Sequence, residues 1–510
     1  MVLDLRAENA TLRSRVAELE VEVTETKAEV AALKTKLDRF LGNAFGRRSE
    51  RAKRERKTPP GDDGRPKRKR HAHGRSPLPD HLERRVVTHD LTDADKPCPC
   101  CGVPRECIGE HKIRSGEQLD CDPARFFVRR TVRKTYACRS CDPVAVPPEQ
   151  RLTTAGPPSV GPIPKGLCGP GLLAYVLTAK FADHLPLHRL AGIIARSDVH
   201  VAESTLGGWV GQAADLLTPL CQLMRARVLA CPVIWTDDTR SRYLVPGRDT
   251  APKGHFWVTI GDASAPYTMF DFTKGYSAEE GPERFLKGYK GYVHADCLAQ
   301  YESLYATEGV WHVACWAHAR RKFLDAGESG KPAVEFIRRL YAVERTLPPP
   351  DTPAHIEQRK SIRQSGSLPI LSELKTWLEG ESKTMLPKSP LGEAVRYVLN
   401  RWSAFERYTE RGDLTIDNNL SERTLRPIAL GRANWTFLGS ASAGERAAVH
   451  YTVTGTCRHL GIDPFAYLRE VLPSLHALGE KPTPEQLTDH LPDRWAARRA
   501  AANTSAQPAA

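Results

Sequence analysis

The run PVIWTDDT, residues 232–239, decides the fold: four strand-forming residues, Val233 to Thr236, lead into Asp237, with Asp238 beside it. Short apolar runs of this kind read as buried strands, and an acid at the end of one sits at a sheet edge. Working outward, His255-Phe-Trp-Val-Thr-Ile260 and Tyr267-Thr-Met-Phe-Asp-Phe272 read as two more strands. A helix is expected over 279–286, and the run Gly291-Tyr-Val-His-Ala-Asp296 again ends in an acid. After another helix, Val310-Trp-His-Val-Ala314 gives a fifth strand. Three strands in meander order, then helix, strand, helix, strand, is the order of a ribonuclease-H-like α/β core. That order can set Asp237 and Asp296 on neighbouring strands, where two like charges call for divalent cations between them. A third acid must come from a helix. Glu422 is the first candidate, in Asp417-Asn-Asn-Leu-Ser-Glu422-Arg423-Thr-Leu-Arg426-Pro427, where Asp417 or Asn418 caps the helix and Pro427 bounds it. Asp417 and Glu445 remain rivals from chemistry alone.

The two acids are embedded in a long chain of several parts. Lys and Arg number 74 against 61 Asp and Glu among 510 residues, a surplus of 13 that points to a polyanionic partner. No apolar run reaches the roughly 18–20 residues of a membrane helix, and the charged N-terminus is no signal peptide, so a cytoplasmic protein is expected. Thirteen cysteines, an odd number, suit reduced thiols and a metal site better than disulfides.

Residues 1–41 read as a zipper. One core position runs Val2, Asn9, Val16, Val23, Val30, Leu37 and the other Leu5, Leu12, Leu19, Thr26, Leu33, Phe40. β-Branched residues opposite Leu, with one polar Asn, favour a parallel dimer. The flanking pairs Glu8–Arg13, Arg15–Glu20, Glu22–Lys27 and Glu29–Lys34 are all opposite in sign. Residues 42–85 form a basic arm: thirteen Lys or Arg against four acids between 47 and 75, a local +9, interrupted by Pro and Gly. Arg47, Arg48, Lys67, Arg68, Lys69 and Arg70 are its DNA-backbone candidates.

Over 86–150, Cys98-Pro-Cys-Cys101 and Cys138-Arg-Ser-Cys141 are two knuckles 36 residues apart, able to supply four thiolates to one structural Zn²⁺. Cys100, Cys107 and Cys121 are rival ligands. Residues 160–228 read as helices; Leu187–Ile194 followed by a helix capped at Ser204 fits either a helix-turn-helix or a plain helical hairpin. The catalytic core spans 229–440, with a helical subdomain inserted at about 325–411, and 441–510 form a helical C-terminal element. Cys315 and His318 make a Cys-x-x-His pair that lacks two zinc ligands and reads as a structural contact beneath the site. The whole is a multidomain α+β chain.

Several long runs, in order, resemble one family. GRSPLPDHLERR (74–85), the two Cys knuckles, FADHLPLHR (181–189), WTDDT (235–239), VHADC (293–297), CWAHARRKF (315–323), LPKSPLGEAVRYVLNRW (386–402) and DNNLSERTLRPIALGRANWTFLGS (417–440) are similar to the insertion-sequence transposases of the IS-sixty-six family. The resemblance implies a DDE transposase that cleaves and joins DNA, with Asp237, Asp296 and Glu422 as its acidic triad holding two Mg²⁺. It also implies zinc at Cys98, Cys101, Cys138 and Cys141. Asp238 and Cys297 depart from the family pattern without touching the triad. Arg423 and Arg426 are candidate phosphate clamps. The partners implied are double-stranded DNA at the element ends and target, a second copy of the chain through the zipper, and room for accessory proteins, but no membrane. A DNA-binding regulator with an inert nuclease-like domain would share the zipper, arm and zinc module, and a hydrolytic nuclease would share the acids.

Overall fold

The structure, a computed structural model, describes residue 15 and most of the chain from 78 to 505, with short interruptions between 79 and 165. The zipper at 1–41 and the arm residues Arg47, Arg48, Lys67, Arg68, Lys69 and Arg70 lie outside the described residues.

The first sheet is organised by one long strand. β1 (Arg84–His89), β2 (Glu106–Glu110), β3 (Glu117–Asp122) and β5 (Leu152–Thr154) all pair with the 13-residue β4 (Arg125–Ala137). β1 runs parallel to β4 and the others antiparallel. The sequence expects this strand from the alternation over Phe126–Tyr136. One half of β4 belongs to the main core, where Val128 joins Leu119 and Cys121 of β3. Buried Asp120 fixes that junction. It accepts from the Leu172 N–H at 3.0 Å, at the start of α1 (Pro170–Phe181), and pairs with Arg129.

The second sheet has the order β10-β9-β6-β7-β8. β6 (Val233–Arg242), β7 (Lys253–Gly261) and β8 (Thr268–Thr273) form an antiparallel meander. β9 (Gly291–Ala295) lies parallel to β6, and β10 (Val310–Ala314) parallel to β9. Eight of the nine residues of β7 are buried, so both faces of the sheet are covered. On one face Phe256 meets Tyr451; on the other Trp257 meets Tyr276, Phe285 and Tyr301. The helix expected over 279–286 shrinks to Pro282–Phe285, closed off by Gly288 at φ 79°.

Helices α2 (Leu187–Ala195) and α3 (Glu203–Leu229) precede this sheet. The cap expected at Ser204 is not used: α3 starts at Glu203 behind Ala202, without a side-chain cap, and continues through Pro219. Packing holds it instead, through a buried stripe from Leu206 and Trp209 to Met224 and Val228.

After β10 come α4 (Trp316–Asp325), α5 (Lys331–Glu344), α6 (Pro353–Thr384) and α7 (Pro390–Leu399), then α8 (Asn419–Trp435), α9 (Ala441–His459) and α10 (Pro464–Ala477). Pro427 does not bound α8, which runs on to Trp435. The missing N–H removes one bond to the Arg423 carbonyl on the exposed side, while Ile428 and Gly431 stay buried beyond it.

The helices between α4 and α8 are clasped at their base. Fully buried Arg363 of α6 donates to both Glu344 oxygens at 2.8 and 2.7 Å and to the carbonyls of Tyr408 and Arg411 at 3.0 and 2.9 Å. All partners of that guanidinium are internal. Arg363→Met should therefore strand the Glu344 charge and lower stability by about 3–5 kcal/mol, read from the denaturation midpoint. An unchanged midpoint would contradict this role.

Candidate active site

Three separate elements deliver the acids. Asp237 sits mid-way along β6, opposite Val258 of β7. Asp296 follows the last residue of β9, and Glu422 lies in the first turn of α8. Successive residues on a strand point to opposite faces, and this separates the two neighbouring acids of β6. Asp238 faces the aromatic side, bound by His255 Nδ1 at 2.7 Å and the Tyr276 hydroxyl at 3.0 Å. Asp237 faces the other way.

The approach to α8 is stitched to this sheet. Asn418 donates from Nδ2 to the Thr236 carbonyl at 2.8 Å, and its own N–H reaches Cys315 Sγ at 3.2 Å. Asn418 occupies the N-cap position, yet its side chain is committed to β6 and to Ser421 rather than to the helix amides. Asp417 is likewise occupied, accepting from the Tyr341 hydroxyl at 2.8 Å and from the Asn419 side chain at 2.7 Å. Glu445, the other rival acid, is exposed on α9 beside Arg225, Asp271 and Arg284, away from Asp237.

The electrostatics tie the three acids together. Burial first, then the charges of Asp238, Asp296 and Glu422, together hold the Asp237 carboxyl up at about 8 against the opposing Asp238 N–H bond. Asp296 has one oxygen in use: its Oδ1 accepts the Cys297 N–H at 2.7 Å and the Tyr397 hydroxyl. Its Oδ2 lies 3.8 Å from His318 Nε2, and the same nitrogen is 3.4 Å from Glu422 Oε1. That Glu422 oxygen is buried with no hydrogen-bond partner.

Three acids offset only by His318 and by Arg321 at 3.8 Å from Glu422, with one buried carboxylate oxygen that accepts no hydrogen bond among the described residues, have the donor chemistry of a hard-cation site. Of the two residues in the Cys-x-x-His pair, Cys315 does lie beneath the site as a structural acceptor, whereas His318 reaches between two of the acids. Sequence reasoning missed that role, and Tyr397 with it. The available signal was position, since His318 lies one turn into the helix that directly follows β10.

Arg423 and Arg426 are exposed on α8, without a carboxylate within 4.0 Å among the described residues. Farther along β6, Arg240, Arg242, Lys253 and Arg432 line a hollow of about 380 Å³.

The metal centre of the first sheet is separate. The Sγ atoms of Cys98, Cys101, Cys138 and Cys141 all lie within 4.8 Å of one another, with Cys98–Cys141 at 3.4 Å and Cys101–Cys138 at 3.5 Å. Zn–S bonds of about 2.3 Å in a tetrahedron require sulfur atoms about 3.8 Å apart, so the four fit one Zn²⁺. The backbone N–H of Cys100 holds the Cys98 thiol down to about 6, while the neighbouring thiols Cys98 and Cys138 push Cys141 up. Cys100 and Cys107 are exposed and Cys121 belongs to the main core, so none of the rivals joins the cluster.

Residues 165–446 match the family described as Transposase IS66 family, and residues 95–142 match the zinc-finger binding domain of transposase IS66. The chain belongs to the IS66 transposase family. Within it, protein y4hP of Sinorhizobium fredii (strain NBRC 101917 / NGR234), described as uncharacterized, is 33% identical over 458 residues, covering 84% of this chain and 78% of the relative. A second such protein of the same strain, y4jD, is 30% identical over 439 residues, covering 82% of each chain. The IS66 zinc-finger match contains all four clustered cysteines, which supports structural zinc there. Among the described residues no helix is long and apolar enough to cross a membrane.

Proposed function

We propose that the chain binds the ends of its insertion sequence and catalyses metal-dependent strand cleavage and strand transfer by DDE chemistry. One observation carries this reading: the buried Asp237 carboxyl, raised to about 8, with the Asp296 and Glu422 charges converging on it from two other elements. The strand order β10-β9-β6-β7-β8, a meander extended by two parallel strands on the β6 side, supports a ribonuclease-H-like core. Two Mg²⁺ held by Asp237, Asp296 and Glu422 would activate the attacking oxygen and stabilise the leaving one during in-line displacement at phosphorus. Among the described residues only the four cysteines gather their ligand atoms within 4.8 Å.

The chain's own groups prepare the site. Tyr397 and the Cys297 N–H hold one Asp296 oxygen so that the other faces inward. Asn418 fixes α8 on β6 and so sets the reach of Glu422. Arg423 and Arg426 are free to bind phosphate oxygens of the substrate strand. The test is a strand-transfer assay on the flanking DNA ends, with and without Mg²⁺. Joined products that depend on Mg²⁺ are expected; cut ends that never join would indicate a hydrolytic nuclease, and bound but uncut ends a regulator.

The raised Asp237 carboxyl sets a pH dependence. In the unfolded chain it ionises near 3.8, in the folded one near 8. The folded state therefore binds the extra proton between those values, and the cation-free protein loses stability as pH rises from about 4 to about 8. Divalent cations must displace that proton, so their affinity should climb with pH up to about 8, by at most about tenfold per unit. Calorimetric titration in buffers of different ionisation enthalpy should register a proton released per cation bound at neutral pH. Proton-free binding would contradict the assignment.

The proposal extends to the N-terminal segments, with the zipper pairing two copies and the basic arm following the DNA backbone. Sedimentation of a chain lacking residues 1–41 should give a smaller species than the full chain; an unchanged mass would remove the zipper from the reading.

A further inference from the structure

Beside the acids lies a second basic feature. α4 and α5 face each other across a cleft of about 500 Å³, lined by Arg320, Arg321, Arg338, Arg345, Tyr341 and Asn419. The spacing explains the convergence. Arg320 and Arg321 sit one turn after Ala317, and Arg338, Tyr341 and Arg345 follow one another at three and four residues, so each helix turns a single face to the cleft. Its position is fixed by Tyr341, whose hydroxyl bonds Asp417 immediately ahead of α8.

The cleft is a pool of unbalanced positive charge. Among the described residues Arg338 pairs with exposed Glu335 alone, at 2.8 Å. Arg320 and Arg345 have no carboxylate within 4.0 Å among the described residues. Arg321 faces both ways, lining the cleft while its Nη2 lies 3.8 Å from Glu422 Oε1. Two of the four guanidinium groups, Arg320 and Arg345, have no matching acid among the described residues, and four cations against two carboxylates suit an anion with several charges in a row. Leu324, 48% exposed on the same wall, offers an apolar surface that phosphate alone would not use but a sugar would.

We propose that this cleft seats the phosphodiester backbone of the DNA strand next to the scissile bond, so that the strand leaves the acids past Arg321 and runs between α4 and α5. This deepens the proposed function and rests on it for the direction of the strand, though not for the binding itself.

The test uses the full chain carrying Asp237→Asn, so that DNA is bound without being cut, and a short duplex ending at the element terminus. Affinity is measured over a range of salt for this protein and for the same protein with R320Q and R345Q added. Loss of two phosphate contacts should flatten the slope of log affinity against log salt by about 1.4–1.8. R320K with R345K keeps both charges and should restore most of the slope. R494Q with R499Q, on the helix Pro492–Ser505, alters two exposed arginines elsewhere and should leave the slope near its starting value.

An unchanged slope for R320Q with R345Q, or an equal loss for R494Q with R499Q, overturns the proposal. The two readings fail separately. If the protein with Asp237 intact cuts and joins ends while the cleft variant keeps its slope, the cleft is refuted and the chemistry stands. If it neither cuts nor joins while the slope falls as expected, the cleft stands and the chemistry is refuted.

Discussion

Asp237→Ala and Asp296→Ala are each expected to reduce strand cleavage and joining by at least about 10³-fold while DNA binding changes only a few-fold. Cation-assisted stabilisation of the transition state is worth several kcal/mol, and each 1.4 kcal/mol is about tenfold in rate. Removing one carboxylate from a two-cation site forfeits most of that. Glu422→Gln should behave alike. Asp238→Asn supplies the contrast. Its carboxylate is turned to the aromatic face and bound to His255 and Tyr276, so the change should lower the melting temperature more than the rate. Gel assays for nicked and joined DNA, with binding measured in parallel, separate the cases. Cleavage at the parental rate by the Asp237 or Asp296 variant would remove the assignment.

The second large effect concerns zinc. Cys98, Cys138 and Cys141 make up a buried cluster of their own, apart from the main core. With no surrounding apolar core at that point, the metal takes its place, and structural Zn²⁺ in small modules contributes about 10–16 kcal/mol. Chelation, or Cys98→Ser, should unfold the region around the two knuckles and expose it to protease. The half of β4 that shares the main core through Val128 should stay folded, as should the second sheet. Metal analysis alongside limited proteolysis reads both effects; a zinc-free protein with an intact protease pattern would refute the account.

How much of this was legible in the sequence depends on the range of the interactions. The five strands of the second sheet announce themselves as apolar runs of strand length, four of them to within two residues, but β6 runs five residues past Asp237 to Arg242, which puts the acid mid-strand rather than at its end. Period and composition are local properties. The zinc ligands were legible for a similar reason, because a Cys-x-x-Cys turn encodes half a tetrahedron by itself. Where the reading failed, distant contacts decided the outcome. α3 needs no Ser204 cap because its stripe is buried, and α8 passes Pro427 because Ile428 and Gly431 have a core to enter. His318 and Tyr397 lie 22 and 101 residues from Asp296, too remote for any spacing rule; only the packing of α4 and α7 brings them to it. The third acid is underdetermined in the same way from the sequence; the bonds of Asp417 and the exposure of Glu445 favour the proposal of Glu422.

The alternation of Asp237 and Asp238 makes strand alignment a guard on chemistry. β6 and β7 are matched over nine consecutive pairs from Ile234–Gly261 to Arg242–Lys253. Slippage by one residue would exchange the two carboxylates, sending the one proposed to be catalytic into the rings around Trp257 and presenting its neighbour in its place. An inactive protein of this kind could keep its fold, its zinc and its grip on DNA, having lost nothing but the parity of a single strand.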